Sequence, residues 1–294
     1  MAAIAPSAGR QDGPDPVSGA AAWGTYRPSS LGRACLALSR HTPLGRGGAR
    51  RLLIRAFSAV HEGPVDTTLV GVPVRLHPAH NVSERTALFR PDRMGGGILP
   101  ALRAAMARPD AVFVDIGANA GLFSLDMAMH AASGTRILAI DPDAVLLGRF
   151  TYNLALARAH GAVASGVVVE TAALAISDHD GTGQFAVAGS EGARHLVGDA
   201  DGASRPVPLR TLAGLLAERG ITTIDLLKID VEGHEDKVLP PYLDAVAPAN
   251  WPRHILIEHV HRNAWTRDCI AECERHGYRI RSRTNNDVFL ERAA

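Results

Sequence analysis

With 294 residues, 46% of them hydrophobic, and a formal net charge of +1, the chain can fill a large core and has no global attraction for nucleic acid. Aromatic residues make up only 5%, which argues against a base-stacking platform, and no apolar run approaches the roughly 18 residues of a membrane-spanning helix. The three cysteines (Cys35, Cys269 and Cys273) have no metal-type spacing, and residues 1–16 lack a signal peptide's apolar run, so reduced thiols and a cytoplasmic location are expected.

Residues 1–30 are rich in Ala, Gly, Pro and Ser and read as a disordered tail whose removal should leave stability nearly unchanged. Residues 31–90 form a basic extension. No acid occurs between Asp15 and Glu62, whereas Arg27, Arg33, Arg40, Arg46, Arg50, Arg51 and Arg55 do. Within it, residues 50–60 suit an amphipathic helix with Leu53, Phe57 and Val60 on one face, either packed on the domain or meeting an anionic membrane surface or a partner protein. A short hairpin follows over 66–76, with Gly71 and Pro73 at its turn, and then a helix over 98–107.

From residue 91 onward the chain reads as one domain. Strands are expected at 111–116, 136–140, 167–175, 224–229 and 254–257. Helices are expected at 122–132, 144–160, 211–219 and 263–276. Residues 177–208 contain six glycines and suit a hairpin plus a loop. Two last strands, 278–283 and 287–291, are joined by a tight turn at Asn285 and Asn286. Alternating strands and helices imply a doubly wound α/β fold with a mostly parallel, seven-stranded sheet, and the closing pair implies an antiparallel edge. No internal repeat is found.

The run from Val112 to Gly121 places Gly117 and Gly121 between a strand and a helix, where a ligand loop belongs. A dinucleotide fingerprint would need glycines at 117, 119 and 122. The chain has Asn119 and Leu122, which disfavours a nicotinamide dehydrogenase. Asp115 would repel a diphosphate and suits a ligand with cationic groups, such as the ammonium and sulfonium of S-adenosylmethionine. Asp141, 24 residues beyond Gly117, ends the next strand and suits two ribose hydroxyls; alone it could equally cap a helix.

These segments resemble the FkbM family of methyltransferases through most of residues 110–292. The resemblance rests on Asp115-Ile116-Gly117-Ala118-Asn119-Ala120-Gly121, on Ile140-Asp141-Pro142 with Asn153, and on Ile176-Ser177-Asp178 with Asp180-Gly181. It rests above all on Lys228-Ile229-Asp230-Val231-Glu232-Gly233-His234-Glu235. The family usually has Glu where this chain has Asp141. The resemblance implies a Rossmann-like methyltransferase sheet and S-adenosylmethionine as cofactor. It further implies that Asp115, Gly117, Asn119 and Gly121 surround the methionine portion, that Asp141 holds the ribose, and that Ser177 and Asp178 sit beside the adenine. The implied activity is O-methylation of small molecules and sugars.

Lys228, Asp230 and Glu232 alternate, so in extended backbone they share one face. Lys228 lies inside an apolar strand and needs a partner, Asp115 or Asp230. Asp230 and His234 are candidate bases for a hydroxyl nucleophile, and Glu232 a candidate for positioning the substrate. Glu235 reads as support for the helix that follows. Asp230, Glu232, Glu258 and His259 could hold a divalent metal, although no spacing enforces it and none is expected. The second functional hypothesis is a catalytically inactive cofactor-binding module acting through its N-terminal arm. The carboxylates at 230 and 232 favour the enzyme.

Overall fold

The computed structural model describes residues 21–187, 191, 194–197 and 203–293. Most of the expected tail, and parts of the 177–208 segment, lie outside the described residues. The tail was expected to run to residue 30, and this is corrected for its last ten positions. Trp23 Nε1 donates to the Val74 carbonyl at 3.2 Å, and the amides of Gly24 and Tyr26 donate to Asp66 at 2.7 and 2.9 Å. The cause is a buried ion pair, Arg75 to Asp66 at 2.7 Å, whose remaining hydrogen-bonding capacity must be met. Arg75 accordingly also donates to the carbonyls of Ala21 and Ala22, each at 3.0 Å.

Helix α1 (Ser30–His41), which the sequence did not signal, starts at Ser29, whose hydroxyl accepts from the Gly32 amide at 3.2 Å. Helix α2 (Gly47–Ser58) begins earlier than expected. Phe57 is buried and Ile54 packs on the core, but Val60 is 39% exposed because the helix has already ended. Strands β1 (Val65–Leu69) and β2 (Val72–Leu76) form the hairpin. Its turn is Val70-Gly71, with φ of +50° and +81°, as a tight two-residue hairpin requires; Pro73 lies inside β2 opposite Thr68, not in the turn. Helices α3 (Val82–Phe89) and α4 (Leu99–Ala105) complete this layer.

Next come β3 (Val112–Ile116), α5 (Leu122–His130), β4 (Arg136–Ile140), α6 (Ala144–Ala159) and β5 (Val168–Ala172). The strand expected over 167–175 divides here. Its end, β6 (Ala175–Ser177), joins β7 (Gly181–Ala186), β8 (Leu196–Val197) and β9 (Ser204–Thr211) in a separate four-stranded sheet. This sheet replaces the expected hairpin and loop because Ala175, Phe185, Val207 and Leu209 form a small core of their own. Helix α7 (Leu212–Glu218), β10 (Leu226–Ile229), an unsignalled α8 (Leu239–Ala245) and β11 (His254–Glu258) follow. The chain closes with α9 (Cys269–Arg275), shorter than expected because Asp268 caps it, then β12 (Tyr278–Arg283) and β13 (Asp287–Arg292).

The central sheet has seven strands in the order β12-β13-β11-β10-β3-β4-β5. From β11 to β5 it is parallel, and β13 runs antiparallel to both neighbours, so the expected fold class holds. Strand order reverses between β3 and β10, which opens a crevice at their carboxyl ends. Alternate residues sort to two cores. Phe113, Ile137, Ala139 and Leu226 face the N-terminal layer and share its core with Leu36, Phe57 and Leu76. Val114, Leu138, Leu227 and Ile255 face α7, α8 and α9. Asn153 on α6 locks the hairpin down by accepting from the Arg75 amide at 2.7 Å and donating to its carbonyl at 3.0 Å. Among the described residues no helix is long and apolar enough to cross a membrane.

Candidate active site

The loop after β3 meets the loop after β10 at a single glycine. Gly117 has φ of +75°, and a Cβ there would lie 1.7 Å from the Asp230 carbonyl oxygen, so no other residue fits. Gly121, expected beside the cofactor, is needed for packing: a Cβ would lie 2.2 Å from the Phe150 ring. Asn119 takes the left-handed conformation with φ of +54°. Its Oδ1 accepts from the Ala120 amide at 2.7 Å and from Asn81 Nδ2 at 2.5 Å.

Asp115 requires a correction. It was expected to face the ligand's cationic groups, but its residue is fully buried beneath the loop. Its oxygens accept from Ser124 Oγ at 2.7 Å and pair with Lys228 Nζ at 3.2 Å. The register sets Asp115 directly opposite Lys228, so the cation it meets belongs to the chain itself.

Asp141 ends β4 at the mouth of the crevice. Its two oxygens accept from the Asn119 and Asp143 amides, each at 2.8 Å. Burial pushes its pKa up to about 6, although those two amides favour the anion. Asp141 lines a cavity of about 60 Å³ together with Gly117, Asn119, Asp230, Glu232 and His234. Leu174, Ala175 and Ile176 form its apolar side, with Phe185 and Leu196 of the small sheet. Ser177 is buried, and Asp178 pairs with His179 at 2.7 Å.

The structure turns His234 toward Ser177. Its Nε2 lies 3.1 Å from Ser177 Oγ, and burial lowers its pKa below the usual histidine value. The residue expected beside the methyl acceptor thus pairs with one expected beside the adenine. Asp230 lies 3.3 Å from Lys228 Nζ with about a third of its side chain exposed. Glu232 takes φ of +56° in a turn tied by Glu235, which accepts from the Val231 amide at 2.9 Å and from Trp265 Nε1 at 2.7 Å. Glu235 therefore shapes the loop, in line with its structural reading.

Two further acids, Glu258 and Asp287, and His261 complete this end. Glu232 pairs with His261 Nε2 at 3.1 Å. Glu258 is pushed up to about 9 by burial and by the negative charges of Asp230 and Glu232. Asp287 is raised by burial and by Asp230. Single ligand atoms of Glu232, Glu258 and His261 lie within 4.8 Å of one another, a spacing that suits a divalent cation. His259 is not in this group. Its amide donates to the Asn286 carbonyl at 2.7 Å and its ring faces the Thr284 carbonyl, so it holds the closing turn instead.

Other site neighbours carried little sequence signal. Arg149 lies 3.2 Å from the wholly buried Glu84 and 2.6 Å from Glu191, which lines the cavity. Burial pushes Glu84 up to about 7, although Arg149 opposes the shift. No spacing links positions 84, 149 and 191. Asn81 was detectable, since Asn81 with Glu84 three residues on is a helix-start pattern, and Asn81 does cap α3 at 3.0 Å.

The profile of the methyltransferase FkbM domain matches residues 115–280. The AMB antimetabolite synthetase AmbE of Pseudomonas aeruginosa is 30% identical over an alignment of 223 residues that covers 62% of this chain and 10% of that protein. The chain therefore spans about a tenth of the length of this curated relative. Precorrin-6y C5,15-methyltransferase of Geobacter metallireducens GS-15 aligns with a TM-score of 0.38 at 14% identity, over 66% of this chain and 88% of its own. An O-methyltransferase from Bacillus cereus, solved in complex with SAH, aligns at 0.36 and 12% identity, over 66% and 77%. At these scores the structural likeness adds nothing to the family match. The profile covers more than half of the chain and contains the glycine loop, Asp141 and the Asp230–Glu235 turn; the chain belongs to the FkbM methyltransferase family.

Proposed function

We propose that the chain transfers a methyl group from S-adenosylmethionine to a hydroxyl of a small molecule or glycan. One observation carries this reading. Asp141 and Asp230 line the same narrow cavity from the ends of β4 and β10, the two strands that flank β3 and its glycine loop. The donor set suits the cofactor. Each Asp141 oxygen has accepted one backbone amide and keeps a lone pair for a ribose hydroxyl. Ile140, Leu174 and Ile176 offer apolar surface to a purine. When bound, S-adenosylmethionine supplies an electrophilic methyl group on a sulfonium.

The chain's own residues then have two tasks. Asp141, Gly117 and Asn119 fix the donor, and Asp230 and Glu232 orient the acceptor hydroxyl so that its oxygen lies in line with the methyl carbon. Asp230 takes the hydroxyl proton as the new bond forms, a contribution of roughly 10²–10⁴-fold. Neutral His234 keeps its hydrogen bond to Ser177 on the purine side. At about 60 Å³ the cavity is smaller than the roughly 300 Å³ of ordinary ligand pockets. Binding therefore requires this cavity to widen.

Calorimetry with S-adenosylmethionine, its demethylated product and NAD tests the cofactor, and transfer of labelled methyl to a panel of sugars and hydroxylated small molecules tests the acceptor. Binding of the first two without NAD is expected. Binding of NAD with no response to S-adenosylmethionine would overturn the reading.

A further inference from the structure

The N-terminal layer holds a second cavity, a groove of about 530 Å³ between the segment from Trp23 to Pro28, helix α1 and strand β1. Its walls bring together Arg27, Arg33 and Arg40. Among the described residues none of the three lies within 4.0 Å of a carboxylate oxygen. The acid on the wall, Asp66, is already engaged by Arg75 and by the Gly24 and Tyr26 amides. Among the described residues the groove is therefore a concentration of positive charge whose one wall acid, Asp66, is already paired elsewhere. Burial lowers the Arg40 pKa below the usual arginine value, as expected where a guanidinium loses water without gaining an anion.

The three guanidinium groups are held in place before any ligand arrives. Arg33 donates to the Pro28 carbonyl at 2.9 Å and to Ser30 Oγ at 3.1 Å. Arg40 Nε donates to the Leu88 carbonyl at 2.8 Å. Arg27 lies 5.0 Å over the ring of Trp23, which is itself anchored on Val74. Each keeps further N–H groups for a ligand. Three planar forks lining one groove suit a tetrahedral oxyanion better than a single carboxylate, which one fork already satisfies. The volume exceeds what a bare ion needs and falls in the range of about 300–1,000 Å³ typical of small-molecule sites, and Trp23 and Leu36 provide apolar wall for an organic body.

We propose that this groove binds the phosphomonoester group of a small molecule. The site is separate from the methyl-transfer cavity, and the proposal does not depend on the acceptor assigned there. The test is calorimetry of the full chain at low salt with inorganic phosphate and glycerol phosphate, alongside co-sedimentation with phosphatidylcholine vesicles with and without phosphatidic acid. Saturable binding of the soluble phosphates is expected. It should weaken about tenfold in Arg33→Gln and in Arg40→Gln, with S-adenosylmethionine affinity unchanged in both and the melting temperature unchanged in Arg33→Gln. Arg33 is exposed, so Arg33→Gln separates loss of the site from loss of folding; Arg40→Lys should restore part of the affinity. Binding only to phosphatidic acid vesicles, lost in the same variants, supports the same chemistry with a lipid headgroup as its source. No saturable binding to any probe, or binding unchanged in Arg33→Gln, overturns the proposal.

Discussion

Lys228 Nζ lies 3.2 Å from Asp115 Oδ1 across two adjacent parallel strands, in a register that sets the residues directly opposite each other. The same ammonium donates to the Gly117 carbonyl at 3.1 Å and lies 3.3 Å from Asp230. One buried cation therefore ties together an acid under the glycine loop, the loop itself and Asp230 just past the end of β10. Burial opposes its charge, but Asp115 and Asp230 outweigh that and hold the Lys228 pKa above the usual lysine value. This explains why a lysine and an aspartate occupy otherwise apolar strands.

Lys228→Met should therefore be strongly destabilising. It leaves Asp115 buried without a counter-charge, which costs about 3–5 kcal/mol when one partner of such a pair is removed. Adding Asp115→Asn removes the stranded charge and keeps a partner for Ser124, so the double variant should recover part of the loss. Urea unfolding of the two variants decides it. A single variant within about 1 kcal/mol of the parent would show that the pair is not a structural tie.

Removal of residues 1–29 should lower the melting temperature, contrary to what their composition suggests. The deletion takes away two amide donors to Asp66 and two carbonyl acceptors for Arg75, all around a pair that is almost wholly buried. Each unmet buried polar group costs roughly 1–3 kcal/mol. Calorimetric melting of the truncated chain checks this, and an unchanged transition would mean that solvent replaces these contacts.

The contrast between that segment and the central sheet shows what could be read in the sequence. Strands 136–140 and 278–283 match the sequence reading to the residue, the first because a buried parallel strand leaves an apolar run, the second because Gly277 and the Asn285-Asn286 turn bracket it. The Lys228 pairing also followed from the cost of an unpaired buried cation. Helix α1 left no such signal. Its inner face is Gly32, Cys35, Leu36 and Ser39, too mixed to stand out by hydropathy. Asp115 was misplaced because one acid at a strand end looks the same whether it points into a crevice or under a loop. His261 and Glu191 could not be found from spacing, since long-range folding alone brings them to Glu232 and Arg149.

Cofactor affinity should depend on pH through Asp141. Its carboxyl is raised to about 6 in the folded chain. Two consequences follow in sign. Folding stability attributable to this group falls as pH rises from its ordinary value near 4 to about 6, because the folded state holds the proton longer. Affinity for S-adenosylmethionine moves the other way, because only the anion offers full acceptor capacity to two ribose hydroxyls. Calorimetry should show affinity about tenfold weaker at pH 5 than at pH 7.5, and Asp141→Asn should flatten the profile. A parent profile already flat over this range would remove Asp141 from the ribose role.

The final prediction separates the acceptor chemistry from cofactor binding. Asp230 and Asp141 line one cavity from opposite sides of the glycine loop, so their variants should fail differently. Asp230→Asn keeps the size of the side chain, and its amide oxygen can still face Lys228, so folding and the glycine loop should survive. What is lost is the proton acceptor. The variant should bind S-adenosylmethionine within a few-fold of the parent, yet turn over about 10²-fold more slowly or worse. His234→Gln should be milder in turnover, because its Nε2 is already engaged by Ser177 Oγ at 3.1 Å. If His234 were the base, the two phenotypes would exchange. Excess chelator probes the third arrangement. Glu232 is already paired with His261 Nε2 at 3.1 Å, so turnover should persist. Activity lost to chelator and restored by magnesium would instead assign Glu232, Glu258 and His261 to a metal. Parent-level turnover in Asp230→Asn would leave Asp230 only as a structural partner of Lys228.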